Sequence, residues 1–174
     1  HRARHKETPP MRRTLAALVA VLTLAAVPAF AGVADSPLPV LQAGKTTFHL
    51  YSVPGVIATA CFGTYFTCSS MATVPVQVGV ELFFSIGGGA ANDAVTTSLS
   101  VVPGGAVTLG TSSSADPGIG MQSDVGFAGR GTARILATSK KLACTAFIAD
   151  RCNDPVTFMS HLTIIAKTKQ KAAN

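Results

Sequence analysis

The sequence predicts an all-β fold, an antiparallel sandwich of two sheets with about eight strands. Apolar residues recur with a period of two along several segments, and turn residues separate these segments. The composition is low in charge, contains 16 Gly and has no Trp. No segment after the N-terminal region shows a sustained period of 3.6, which disfavours a helical or α/β fold. A small closed barrel is the alternative architecture.

Residues 11–31 have the three parts of a secretory signal peptide. Two arginines follow Met11, an apolar run comes next, and the segment ends in an Ala-x-Ala site. We expect cleavage after Ala31, and we expect residues 1–10 to lie upstream of the start and to carry no structure. The apolar run is shorter than the roughly 20 residues of a membrane span. The sequence therefore predicts export through the general secretory route to the periplasm or the medium, with no span after cleavage.

Removal of the leader lowers the net charge. The whole chain has a formal charge of +6, whereas nine basic and seven acidic residues follow residue 31, which leaves +2. This weak charge gives no electrostatic case for a nucleic-acid partner. Residues 167–174 form a basic tail with Lys167, Lys169 and Lys171. We expect this tail to be a solvated, frayed terminus.

The sandwich is predicted to cover residues 46–166, after a flexible lead-in at 32–45. Its clearest strand covers residues 74–84, with Gln77 and Glu81 on the solvent face. The opposite, apolar face consists of Val76, Val78, Val80, Leu82 and Phe84. The remaining strands are expected at 132–138, 142–149 and 157–166, and residues 112–131 are expected to form an irregular connection.

The segment Val102-Pro103-Gly104-Gly105 predicts a tight turn. Proline fixes φ at the second position and glycine accepts a positive φ at the third. Apolar alternation on both sides, at residues 98–102 and 106–111, predicts that the turn joins two strands of a hairpin.

All four cysteines, Cys61, Cys68, Cys144 and Cys152, follow the leader. An even number in an exported chain indicates two disulfides, and the cysteine spacing does not fit a zinc site. Cys68 and Cys144 share strand faces with apolar residues. This phasing favours a bridge from Cys68 to Cys144 across the core between the sheets, with Cys61 and Cys152 joined near one end. The alternative joins Cys61 to Cys68 and Cys144 to Cys152.

Four short motifs carry a resemblance to known proteins: Tyr-Phe-Thr-Cys-Ser at 65–69, Val-Pro-Gly-Gly at 102–105, the segment 132–140, and Cys-Thr-Ala at 144–146. Together they resemble a group of secreted bacterial proteins over most of residues 60–170. The resemblance implies a β-sandwich and transfers no activity. Members of the group have counterparts of Cys68 and Cys144 only, which implies that Cys61 and Cys152 form a second pair.

Candidate catalytic and metal-binding residues are few. His49 and His161 are the histidines after the leader, and alternation predicts that each is a solvent-facing strand residue. Asp150, Asn153 and Asp154 surround Cys152, but they lack the ordered spacing of a calcium loop and fit a turn. We therefore assign no catalytic residue, no metal ligand and no cofactor.

The favoured hypothesis is an exported, non-catalytic module that binds an unknown protein or surface or forms part of the envelope. One alternative is a small secreted hydrolase whose residues meet only in three dimensions. Another is a carbohydrate-binding module, although the chain offers only Tyr51 and Tyr65 besides phenylalanine for stacking.

Overall fold

The computed structural model describes residues 36–167. The predicted signal peptide, its cleavage site and all but the first residue of the basic tail lie outside these residues. In chain order the strands are β1 (Phe48–Ala58), β2 (Phe62–Ser70), β3 (Val76–Phe84), β4 (Leu99–Val101), β5 (Ala106–Gly110), β6 (Ser123–Asp124), β7 (Gly129–Ala137), β8 (Leu142–Asp150), β9 (Met159–His161) and β10 (Ile165–Ala166). A short 3-10 helix, Pro117–Ile119, lies between β5 and β6.

The strands form two five-stranded sheets that pack face to face. Sheet A has the order β10-β1-β7-β3-β4, and sheet B has the order β6-β5-β2-β8-β9. Neighbouring strands are antiparallel except for β5 and β6. The predicted two-sheet sandwich is confirmed, and the closed barrel is wrong because the two sheets share no paired strand. Very short strands at the sheet edges, which alternation does not reveal, raise the number of strands above the expected eight.

The core consists of alternate residues that face inward from both sheets. Val78, Val80 and Leu82 of β3 are fully buried and belong to one cluster with Phe66 of β2 and Ile135 of β7. Burial of such apolar side chains is the main favourable term in folding. The predicted apolar face of β3 is therefore the core face.

Phe84 departs from this pattern. It is half-exposed because β3 ends there, beyond the covered part of the sheet, and its ring contacts that of Phe127 at 5.6 Å between centroids.

Glu81, expected on a solvent face, is buried on the outer face of sheet A. Its Oε2 lies 2.6 Å from Nη2 of Arg134, which is 1% exposed. Arg134 Nη1 also donates to the carbonyl of Ser36 and Nη2 to that of Pro37, both at 2.9 Å. The prediction of a solvated Glu81 was wrong because alternation identifies the polar face of a strand and does not reveal what covers it.

The segment from residue 36 to 45 provides this cover. Leu41 is buried against Ala94 and Leu136 on the outer face of sheet A, and its backbone N–H donates to Thr47 Oγ1. This segment is therefore anchored to the sheet at Ser36, Pro37 and Leu41, whereas residues 42–45 are exposed. The apolar outer residue Leu136 gives this segment a surface on which to pack.

The turn at residues 102–105 forms as predicted, but the hairpin does not. The N–H of Gly105 donates to the carbonyl of Val102 at 2.9 Å, and Gly104 has φ of 73°. However, β4 pairs with β3 in sheet A, whereas β5 pairs with β2 in sheet B. The turn thus carries the chain from one sheet to the other, a choice that turn chemistry alone does not determine.

The final predicted strand, at residues 157–166, is also divided between the two sheets. β9 pairs with β8 in sheet B, and β10 pairs with β1 in sheet A. The intervening residues cross between the sheets, where the N–H of Leu162 donates to Ala146.

The structure has the longer of the two disulfide pairings. Cys68 and Cys144 are opposite each other on β2 and β8, with 4.1 Å between Cα atoms, the close spacing of a non-hydrogen-bonded pair. Both strands belong to sheet B, so the prediction of a bridge between the sheets was wrong. Cys61 and Cys152 form the second bridge, between the β1–β2 turn and the loop after β8.

Candidate functional site

The antiparallel topology gathers one set of loops at one end of the sandwich. We call this the lysine end; it consists of residues 42–47, 71–75, 102–105, 138–141 and 167. Backbone hydrogen bonds tie these loops together. The N–H of Met71 donates to Lys141 at 2.9 Å, that of Gly104 to Ser70 at 3.1 Å, and that of Lys167 to Leu50 at 2.9 Å. The loops at 71–75, 102–105 and 138–141 are therefore adjacent, while residues 42–47 lead into β1, to which Lys167 is hydrogen-bonded.

Every lysine in the described part of the chain lies at this end, namely Lys45, Lys140, Lys141 and Lys167, and each is exposed. The loops of the lysine end contain no acidic residue. The Lys140 ammonium sits 4.8 Å above the ring of Phe48. Within residues 36–167, the close ion pair joins Arg134 to Glu81. No carboxylate of these residues lies within ion-pair distance of a lysine.

Large apolar side chains project from the same loops. Met71 is 63% exposed, and Val74 and Val102 are each 61% exposed. Val76 pairs with Val101, which brings the residues just before β3 beside the turn that follows β4. Single exposed apolar residues are common on proteins, but these three lie at the same end of the sandwich as the four lysines, on neighbouring loops. The lysine end is therefore both cationic and apolar.

The opposite end, which we call the disulfide end, has the opposite charge. It consists of residues 59–61, 111–130 and 151–158 with the end of β8. It carries four aspartates and two arginines: Asp116, Asp124, Asp150, Asp154, Arg130 and Arg151. The charges of +4 and −2 at the two ends sum to only +2, so the net charge by itself does not reveal the separation.

A wide-mouthed cleft of about 510 Å³ opens at the disulfide end. Thr59, Ser112, Asp124 and Phe127 line it together with Arg151. The Arg151 guanidinium donates from Nε to the carbonyl of Ala60 at 3.0 Å, and the adjacent Cys61–Cys152 bridge fixes the two loops on which these residues lie. The cleft combines hydroxyl groups with one charge of each sign.

Two buried hydroxyl groups lie beside the cleft. Tyr65 OH and Ser112 Oγ are each 2.9 Å from the position that a Cβ on Gly63 would take, and neither has a hydrogen-bond partner among the described residues. Burial raises the pKa of the Tyr65 hydroxyl, an effect that nearby Ser114 and Arg151 partly offset. The lining of the cleft thus includes hydroxyl groups but no histidine to act as a base.

His49 lies on β1 and is half-buried. The prediction that it faces solvent was wrong. Its Nε2 lies 3.1 Å from the carbonyl of Tyr51 and 3.0 Å from Ser52 Oγ. A carbonyl only accepts, so the first contact places the proton on Nε2. Burial, Lys167 and Arg134 together lower the pKa of His49 to about 4. A nitrogen that already carries a proton, on so weak a base, does not activate Ser52 as a nucleophile.

His161 is exposed on β9 as predicted, and the structure brings it to no catalytic partner within the described range. The two histidines occupy different sheets, since His49 pairs with β7 and His161 with β8. Neither histidine lines the cleft.

The aspartates around Cys152 behave as turn residues. Asp150 accepts hydrogen bonds from the Thr157 hydroxyl at 2.7 Å, from the Asn153 amide and from the Cys152 N–H at 2.9 Å. These bonds lower the pKa of Asp150, with that from Thr157 having the largest effect. No group of three or more metal-ligating side chains occurs within residues 36–167.

An exposed aromatic pair lies at the disulfide end of the sandwich, where β2 begins. Phe62 and Phe158 meet edge to face at 5.7 Å between centroids. Such a pair does not present the flat, paired faces on which sugar rings stack. It thus gives no specific support to the carbohydrate-binding alternative.

No protein-family model matches this chain, and neither the curated proteins nor the solved structures contain a match. Within residues 36–167, no helix has the length and apolar character needed to cross a membrane.

Proposed function

We propose that this chain is an exported, non-catalytic β-sandwich module that binds another envelope or extracellular surface through its lysine end. Export is supported by the leader pattern of residues 11–31 and by the two disulfides, which persist in oxidising compartments. The resemblance to secreted bacterial proteins agrees with it.

The observation that carries the proposal is the separation of charge along the sandwich. A module with a total charge near zero that keeps four lysines at one end, without a carboxylate among them, holds them at a cost in mutual repulsion. An anionic partner would offset that repulsion and would orient the module on approach. The rigid sandwich, stapled by two disulfides, presents the loops in a fixed arrangement.

The hydrolase alternative finds less support. The histidine–serine contact on β1 lacks an acid, and its Nε2 proton points to a carbonyl. The cleft has a serine and an aspartate without a histidine. Real turnover by the purified domain in a panel of esterase and protease substrates would overturn the non-catalytic part of the proposal.

Co-sedimentation with envelope fractions of the native host tests the binding part. We expect the protein from residue 32 onward to sediment with the envelopes and the variant Lys140→Gln/Lys141→Gln to lose at least tenfold in bound fraction. Arg130→Gln is the control, since it removes an exposed positive charge from the other end. Absence of sedimentation, or equal losses in the lysine and arginine variants, would overturn the proposal.

A further inference from the structure

We propose that the partner of the lysine end is an anionic lipid surface, on which the apolar loop residues enter the interface while the lysines contact headgroup phosphates. This inference rests on the proposed function and names its ligand. It combines the two properties of the lysine end, positive charge and exposed apolar side chains, each of which is expected at a membrane interface.

The apolar residues of the lysine end lie on short connections whose backbone is hydrogen-bonded. Val102 opens the tight turn that Pro103 and Gly104 form, and the Val102 carbonyl closes it with Gly105. Met71 begins the neighbouring loop and is held by the backbone of Lys141. These side chains are thus presented by fixed backbone, and their insertion requires no ordering of a flexible segment.

The cations of this surface are all lysines, whereas the three arginines of the described residues lie elsewhere on the sandwich. A lysine has a flexible apolar stem, so its ammonium can reach phosphates while the stem lies along the lipid interface.

A bilayer fits these observations better than a soluble polyanion does. A polyanion would contact the lysines but would gain little from Met71, Val74 and Val102, which are more than half exposed. A bilayer uses both groups. The aspartates at the disulfide end would point away from the anionic surface and so favour a single orientation.

Sedimentation with lipid vesicles tests the inference. The probes are vesicles of phosphatidylcholine alone and of phosphatidylcholine with 30% phosphatidylglycerol. We expect binding only to the anionic vesicles, and we expect it to weaken with salt because the exposed lysines are screened. Near such a surface each lysine contributes about fivefold to partitioning, so Lys140→Gln/Lys141→Gln should lower it about 25-fold. Arg130→Gln, which removes one exposed positive charge at the other end, should change it less than twofold.

A second variant keeps the charge and removes apolar surface. Val74→Ser/Val102→Ser changes two exposed residues, so the fold should be retained, and we expect about a tenfold loss of partitioning to anionic vesicles. Binding to dextran sulfate provides the comparison. The lipid inference would be overturned if the valine variant and the parent bound anionic vesicles with equal affinity and both bound dextran sulfate tightly. That result would identify a soluble polyanion as the partner.

Failure of this inference and failure of the proposed function are distinguishable. If the protein binds envelopes in a lysine-dependent manner but does not bind anionic vesicles, then the partner is not lipid and the proposed function remains. If the lysine variants change neither envelope nor vesicle binding, both are wrong.

Discussion

The buried ion pair between Glu81 and Arg134 offers a quantitative test of how sheet A is covered. We predict that Glu81→Gln destabilises the domain by about 3 kcal/mol. Arg134 is 1% exposed, and the substitution removes the carboxylate that pairs with its buried guanidinium at 2.6 Å, a loss that typically costs about 3–5 kcal/mol. The lower end applies because two backbone carbonyls, those of Ser36 and Pro37, still accept from the guanidinium.

Urea unfolding of the oxidised domain, followed by circular dichroism, measures this change. Arg130→Met is the control, since this arginine lies on the same strand but is exposed, and we expect it to cost less than about 0.5 kcal/mol. The double variant Glu81→Leu/Arg134→Met replaces both charges with apolar groups and should recover more than half of the loss. A loss below about 0.5 kcal/mol for Glu81→Gln would refute the burial of the pair beneath residues 36–45.

Three further predictions concern stability. Gly131→Ala should destabilise by more than about 2 kcal/mol in urea unfolding, since its Cβ would collide with the Phe83 carbonyl, whereas Gly89→Ala meets no atom within 4 Å and should be neutral. Removal of either disulfide by paired alanine substitutions should cost about 4.5 kcal/mol in the loop-entropy model. The loss should be larger for the pair that contains buried Cys68, and equal losses would contradict a role of Cys68 in the core. Because the pKa of His49 is lowered in the folded state, the unfolded chain takes up this proton at a higher pH than the folded chain does. The free energy of unfolding should therefore fall as the pH drops from about 6.5 to about 4, and His49→Gln should make this dependence on pH weaker.

Alternation correctly identified the inward residues of β3 and the all-β class because burial on one face of a strand leaves a period of two. It failed where a second layer covers the outer face. Glu81 has the polar character of a solvent residue, and only the distant Arg134 and the segment at 36–45 explain its burial. Partner choice was likewise hidden: the Pro103–Gly104 turn has the same chemistry whether it joins neighbours in one sheet or crosses between two.

The candidate site was missed for a related reason. Lys45, Lys140 and Lys167 are far apart in sequence and meet only because antiparallel strands return alternate loops to the same end. The signal that could have found them is their position at the ends of predicted strands: Lys45 precedes the first, Lys140 joins two and Lys167 follows the last. The low net charge concealed this separation, because the aspartates at the other end offset part of the positive charge.

Amide chemical-shift mapping of the ¹⁵N-labelled domain, titrated with bicelles that contain phosphatidylglycerol, tests directly whether the lysine end binds the lipid surface. If it does, line broadening and shifts will concentrate in residues 71–75, 102–105 and 138–141, and the cleft residues Thr111, Ser112 and Arg151 will remain unchanged. Perturbations centred on the cleft or spread evenly over both ends would show that the lysine end is not the binding surface.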